Sequence, residues 1–93
     1  DITEEVEEEA AAHRLYYEPS AGSNITVAGL DVDEDGVPLG ITSTWTTAAA
    51  ADGTIRITLR HYAGNPPGKA TADPVNSTKS STDVEVTFTT KVQ

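Results

Sequence analysis

The chain has neither cysteine nor methionine among its 93 residues, and only six lysines and arginines. Without cysteine, no disulfide can staple the fold and no thiolate can ligate a metal or attack a substrate. Aromatics are equally scarce: Tyr16, Tyr17, Trp45, Tyr62 and Phe88 are the full set. A domain of this size buries only roughly 60–65% of its unfolded surface, so so few large side chains make a thin core. Help is expected from outside that core, from bound metal, glycans or neighbouring subunits. The shortage of bases leaves a net charge of −9. That excludes a nucleic-acid partner, because phosphates need a basic surface. No apolar run is long enough to span a bilayer as a helix. A signal peptide is not visible, and the chain opens at Asp1, which reads as a processed chain or a fragment. What is abundant is Thr, Ser, Ala and Gly, a composition that suggests an extracellular or cell-surface location.

The length fits a single domain over residues 1–93. Its charge is uneven. Residues 1–36 carry eleven acids against Arg14 alone, whereas residues 37–93 carry four acids against five bases. Residues 1–13 read as an acidic helix. Asp1 or Thr3 can cap it, Glu4 and Glu5 suit the positive end of its dipole, and Ile2, Val6, Ala10 and His13 line one face.

Beyond the helix the apolar period changes to two. Strands are expected at residues 15–18, 24–32, 41–47, 54–62 and 83–92, with a bulge near Ala28-Gly29. Asp52-Gly53 signals a hairpin. Ile55, Ile57 and Leu59 share one face of the fourth strand, and Val84, Val86 and Phe88 share one face of the fifth. Together with Trp45 these predict the inner face, leaving Arg56, Arg60, Glu85 and Lys91 outside. Residues 63–82 form a connection long enough to be a candidate contact arm.

The segment Asp31-Val32-Asp33-Glu34-Asp35-Gly36 places three carboxylates at alternate positions before a turn glycine. This is the spacing of the first half of a calcium loop, since calcium takes six to eight oxygen ligands. Asp31, Asp33 and Asp35, with the carbonyl of Val37, are the candidate calcium ligands. The twelfth loop position is Thr42 rather than glutamate, and Pro38 and Gly40 point to a strand, so this is no EF-hand. The competing reading is an acidic turn that holds no metal.

Other chemistry is sparse. Asn24-Ile25-Thr26 and Asn76-Ser77-Thr78 fit the glycosylation sequon, making Asn24 and Asn76 candidate glycan sites. His13 and His61 lack cysteines or acids at ligand spacing in sequence and read as packing residues. Asp83 and Glu85 read as a solvated sheet face, and no G-x-S-x-G motif is present. Nothing marks an enzyme.

The motif order also carries a resemblance. It rests on residues 1–10 (DITEEVEEEA) followed by His13, and on the acidic turn with Gly36-Val37-Pro38-Leu39-Gly40. Thr44-Trp45-Thr46-Thr47, Thr58-Leu59-Arg60-His61 and residues 81–88 (STDVEVTF) continue it. In these the chain resembles the C-terminal half of a family of small secreted bacterial lipoproteins. The resemblance implies a β-rich extracellular domain on a cell surface, with further strands upstream of the acidic helix. It implies no catalytic residues.

The fold expected from all this is all-β, an immunoglobulin-like or jelly-roll antiparallel sandwich with a short N-terminal helix. Five strands fall short of the about seven of an immunoglobulin-like sandwich, so a strand from a neighbouring subunit is expected to complete it. The expected function is a structural subunit of an extracellular fibre or surface layer, a head-to-tail homopolymer built by strand complementation and stabilised by calcium. The alternative is a monomeric cell-surface binding or adhesion module with glycans among its possible partners.

Overall fold

A computed structural model describes residues 9–64 and 66–93. The protein is a predominantly antiparallel β-structure of five strands. They are β1 (His13–Pro19), β2 (Ile25–Ala28), β3 (Thr44–Thr47), β4 (Ala51–Tyr62) and β5 (Ser80–Val92). Three form one sheet in the order β1-β4-β5, and β2 pairs with β3 in a second. All five strands read from the sequence are present, though with different limits.

The N-terminal helix fares differently. Residues 1–8 of that expectation lie outside the described residues. Its remainder is a single 3-10 turn, Ala10–Ala12, with no side-chain cap. His13 is already extended and pairs with His61. Pairing along β4, with the Leu15 amide donating to the Leu39 carbonyl at 2.7 Å, outweighs the weak helical preference of a short segment.

Asp52-Gly53 is not a hairpin. Both residues lie inside β4, opposite Lys91 and Thr90 of β5. Glycine is needed at position 53 for closeness rather than turning: a Cβ there would sit 2.7 Å from Ser23 Cα and 2.8 Å from Ser20 Oγ. The expected 24–32 strand breaks rather than bulges, because Gly29 takes a φ of +60° and ends β2.

The two faces of the larger sheet are covered by different material. Thr58, Tyr62 and Tyr16 lie on one face and are buried. Residues 66–79 run across it, so this connection is a strap and not a free contact arm. Arg60 donates to the Ser77 and Ser80 carbonyls, Arg14 to those of Ala70 and Thr71, and Tyr16 to that of Asp73. The opposite face carries Ile55 and Leu59. Leu39 packs on Leu59 with Ala10, Leu15 and Ile41 around them. Tyr17 on that face donates to the Gly40 carbonyl and meets Trp45 edge-on, with ring centroids 6.2 Å apart.

The inner face expected from the strand pattern is only half realised. The register pairs Ile55 with Phe88, Ile57 with Val86 and Leu59 with Val84, so the phase is right. Ile55 and Leu59 are buried, but Val84 and Val86 are 42% exposed, Phe88 51% and Trp45 44%. The residues above this face follow β1, where Tyr17 and Leu15 anchor them. They do not reach across to β5, whose outer edge carries no partner strand among the described residues.

Candidate functional site

The acidic turn is built from local hydrogen bonds. The Oδ1 of Asp33 accepts from the amides of Asp35 at 2.9 Å and Val37 at 3.0 Å. The carbonyl of Val37 accepts from the Asp33 amide, and Gly36, at a φ of +77°, closes the turn. Asp31 Oδ1 accepts from the Thr42 amide at 2.9 Å. Asp35 is exposed.

A distant cation completes the arrangement. Lys69 Nζ lies 2.9 Å from Asp33 Oδ2, with the two side chains only 1% and 2% exposed. The same ammonium donates to the carbonyls of Ala10 at 2.8 Å and His13 at 2.7 Å. Burial by itself would raise the pKa of the Asp33 carboxyl. The Lys69 hydrogen bond and the Val37 and Asp35 amides outweigh it and hold the group below the usual aspartate range. Both carboxylate oxygens of Asp33 are thus engaged within the chain, and a calcium ion at this turn would compete with Lys69 for one of them.

Among the described residues, a different set of metal-type ligands converges. One ring nitrogen of His13, one of His61 and a carboxylate oxygen of Glu9 all lie within 4.8 Å of one another. His13 and His61 are directly opposite on β1 and β4, with rings stacked at 4.8 Å and 24°. His13 Nδ1 is 3.1 Å from the Glu9 carbonyl, and Nε2 is 3.6 Å from Asp83 Oδ2. Asp83 reaches this place because β5 carries an irregularity there. Leu59 pairs with Val84 and Arg60 with Thr82, which leaves Asp83 as the extra residue of a bulge.

Sequence reasoning set the two histidines aside, since ligand spacing along the chain shows nothing. The signal that could have found them is a pairing register, which aligns the start of β1 with the end of β4. Among the described residues an open cleft of about 320 Å3 is lined by Glu9, Ala10, Ala11, Ala12, Glu34, Asp35 and Pro67. It is acidic and half open, and it offers no enclosed apolar wall for a small-molecule substrate.

Asn24 and Asn76 are both exposed. Asn24 sits just before β2 at a φ of +57°, and its side-chain amide donates to the Ala49 carbonyl at 2.9 Å. Asn76 lies in a turn of the strap. A comparison of the chain with protein families, curated proteins and solved structures finds no match.

Proposed function

We propose that this protein is a structural subunit of an extracellular or cell-surface assembly, joined to further copies of itself through the free edge of β5. The observation that carries this reading is the long edge strand Ser80–Val92, unpaired on its outer side among the described residues, with Val84, Val86 and Phe88 half exposed in one row. Such an edge offers backbone donors and acceptors to another chain and is normally blunted or covered.

The expected occupant is β5 of a second copy. Antiparallel pairing about Thr87 sets Val86 opposite Phe88 of the partner and Phe88 opposite its Val86, so the register is self-complementary. Because β5 is hydrogen-bonded to β4 along its length, its edge serves as a template for a strand rather than as a donated strand. A two-fold pair of this kind leaves the joined apolar rows open on one face. Packing of those faces, as in a sandwich of sheets, supplies the second contact that an assembly larger than a dimer requires.

Sedimentation of the native chain at high micromolar concentration, at low and high salt, tests the proposal. Association is expected to persist in high salt, because sheet pairing and apolar contact are screened little. Val86→Lys puts a charge on the edge row and is expected to yield a folded monomer. A wild-type chain that stays monomeric under these conditions overturns the reading in favour of a monomeric surface-binding module.

A further inference from the structure

We infer that Glu9, His13, His61 and Asp83 hold one late first-row divalent cation of the zinc class. The donor set is two imidazole nitrogens and two carboxylate oxygens. That combination suits zinc and its neighbours, and it is poor in the hard oxygens that calcium and magnesium require. The site is separate from the acidic turn.

Geometry is the main support. The residues come from four places: the turn before β1, the first residue of β1, the far end of β4 and the bulge in β5. Direct pairing of His13 with His61 fixes their Cα atoms side by side. The bulge brings Asp83 up to His13, with Oδ2 3.6 Å from Nε2, as a fourth ligand that closes onto the Glu9, His13 and His61 group by side-chain rotation. Without the extra residue, Asp83 would alternate to the opposite face from Val84.

The state of His13 adds a second line. With Nδ1 as the donor to the Glu9 carbonyl, the tautomer leaves a lone pair on Nε2, facing the Asp83 carboxylate at 3.6 Å. A nitrogen facing a carboxylate at this distance calls for positive charge between them, supplied by a proton on Nε2 or by a bound metal ion. The separation is longer than an ordinary N–H···O hydrogen bond. It is close to the edge of a coordination tetrahedron, roughly 3.3–3.4 Å for metal–ligand bonds of about 2.0–2.1 Å. A backbone carbonyl on the second nitrogen of a metal-bound histidine is also the usual way of orienting such a ligand.

The surroundings suit a fixed site. His13 is buried, and its own carbonyl and that of Ala10 are held by Lys69. Lys69 is itself neutralised by Asp33, so its charge does not stand free beside the site. Closing Glu9 and His61 by an ångström or so onto the ion needs side-chain rotation only, since both are at least partly exposed.

The test uses the full chain, stripped with a chelator and dialysed. Cobalt(II) is titrated by visible absorption and zinc(II) by calorimetry. The expected result is saturation at one ion per chain, displacement of cobalt by zinc, and no displacement by millimolar calcium. His61→Asn and Asp83→Asn lie at partly exposed positions and leave the core intact. Each is expected to weaken zinc at least about tenfold while the amide spectrum stays native. Absence of saturable binding in the wild-type chain, or unchanged affinity in a folded His61→Asn variant, overturns the proposal.

Discussion

Lys69 and Asp33 meet at 2.9 Å with both side chains almost wholly removed from solvent. All three ammonium protons have acceptors, in the Asp33 carboxylate and the carbonyls of Ala10 and His13. One lysine from the strap thereby ties down the acidic turn and the entrance to β1.

Breaking that pair from one side is expected to be severe. Asp33→Asn leaves the Lys69 charge buried without its partner, a loss of ~3–5 kcal/mol. The double variant Asp33→Asn with Lys69→Met removes both charges and is expected to recover much of the loss. Urea unfolding of the three proteins measures this. The pH dependence follows in sign. The folded carboxyl titrates below its ordinary value of 3.8, so its contribution is full above that value. It is lost as pH falls through the folded pKa, because the unfolded chain takes up the proton first. Acid melts should show a drop below about pH 4 that is smaller in the double variant.

Calcium dependence turns on the same lysine. In the wild-type chain an ion must compete with Lys69 for Asp33, so melting temperatures of the metal-stripped chain with and without added calcium are expected to agree closely. In Lys69→Met the carboxylates of Asp31, Asp33 and Asp35 lose that competitor, and calcium is expected to raise the melting temperature by mass action. A clear calcium response in the wild-type chain would instead favour the calcium loop.

Phe88 and Ile55 face each other across β4 and β5 but differ in burial. Ile55→Ala removes a 1% exposed side chain and is expected to cost ~2–5 kcal/mol. Phe88 is half exposed, so Phe88→Ala should cost the isolated chain well under the ~3–5 kcal/mol of a buried phenylalanine. Its larger effect is expected on association, read by sedimentation beside thermal melts.

Tyr16 is expected to titrate late for a tyrosine. Burial, then the hydrogen bond with the Tyr62 hydroxyl at 2.6 Å, push its phenol well above the ordinary value of 10. Stability from this group is complete below that ordinary value and is lost as pH rises through the folded pKa. Ultraviolet titration of the phenolates should show one group ionising late, with Tyr62→Phe moving it back towards normal.

The strands were legible because their side chains alternate. The phase of residues 54–62 and 83–92 put Ile55, Ile57 and Leu59 on one face and Val84, Val86 and Phe88 on one face, and the register pairs the two sets. Burial was not legible, since alternation says which residues share a face and not whether anything lies above it. Asp52-Gly53 has the composition of a turn, but the close approach of Ser23 explains the glycine equally well, and only the fold distinguishes them. Long-range pairs were hidden altogether. Nothing near Asp33 announces Lys69. Glu9, His13 and His61 converge only once β1 pairs with β4, and Asp83 reaches His13 only with the bulge in β5.

The central position of β4 also has a kinetic consequence. Its neighbours β1 and β5 are distant in sequence on either side, and no tight hairpin joins any two strands of this sheet. Each of its ladders therefore requires closing a long loop before any contact repays the lost entropy. Such a topology belongs with slow two-state folders, on the order of milliseconds to seconds. During that interval β4 would have both edges bare. A newly made chain would then be most prone to pair wrongly with its neighbours while β5 has yet to dock.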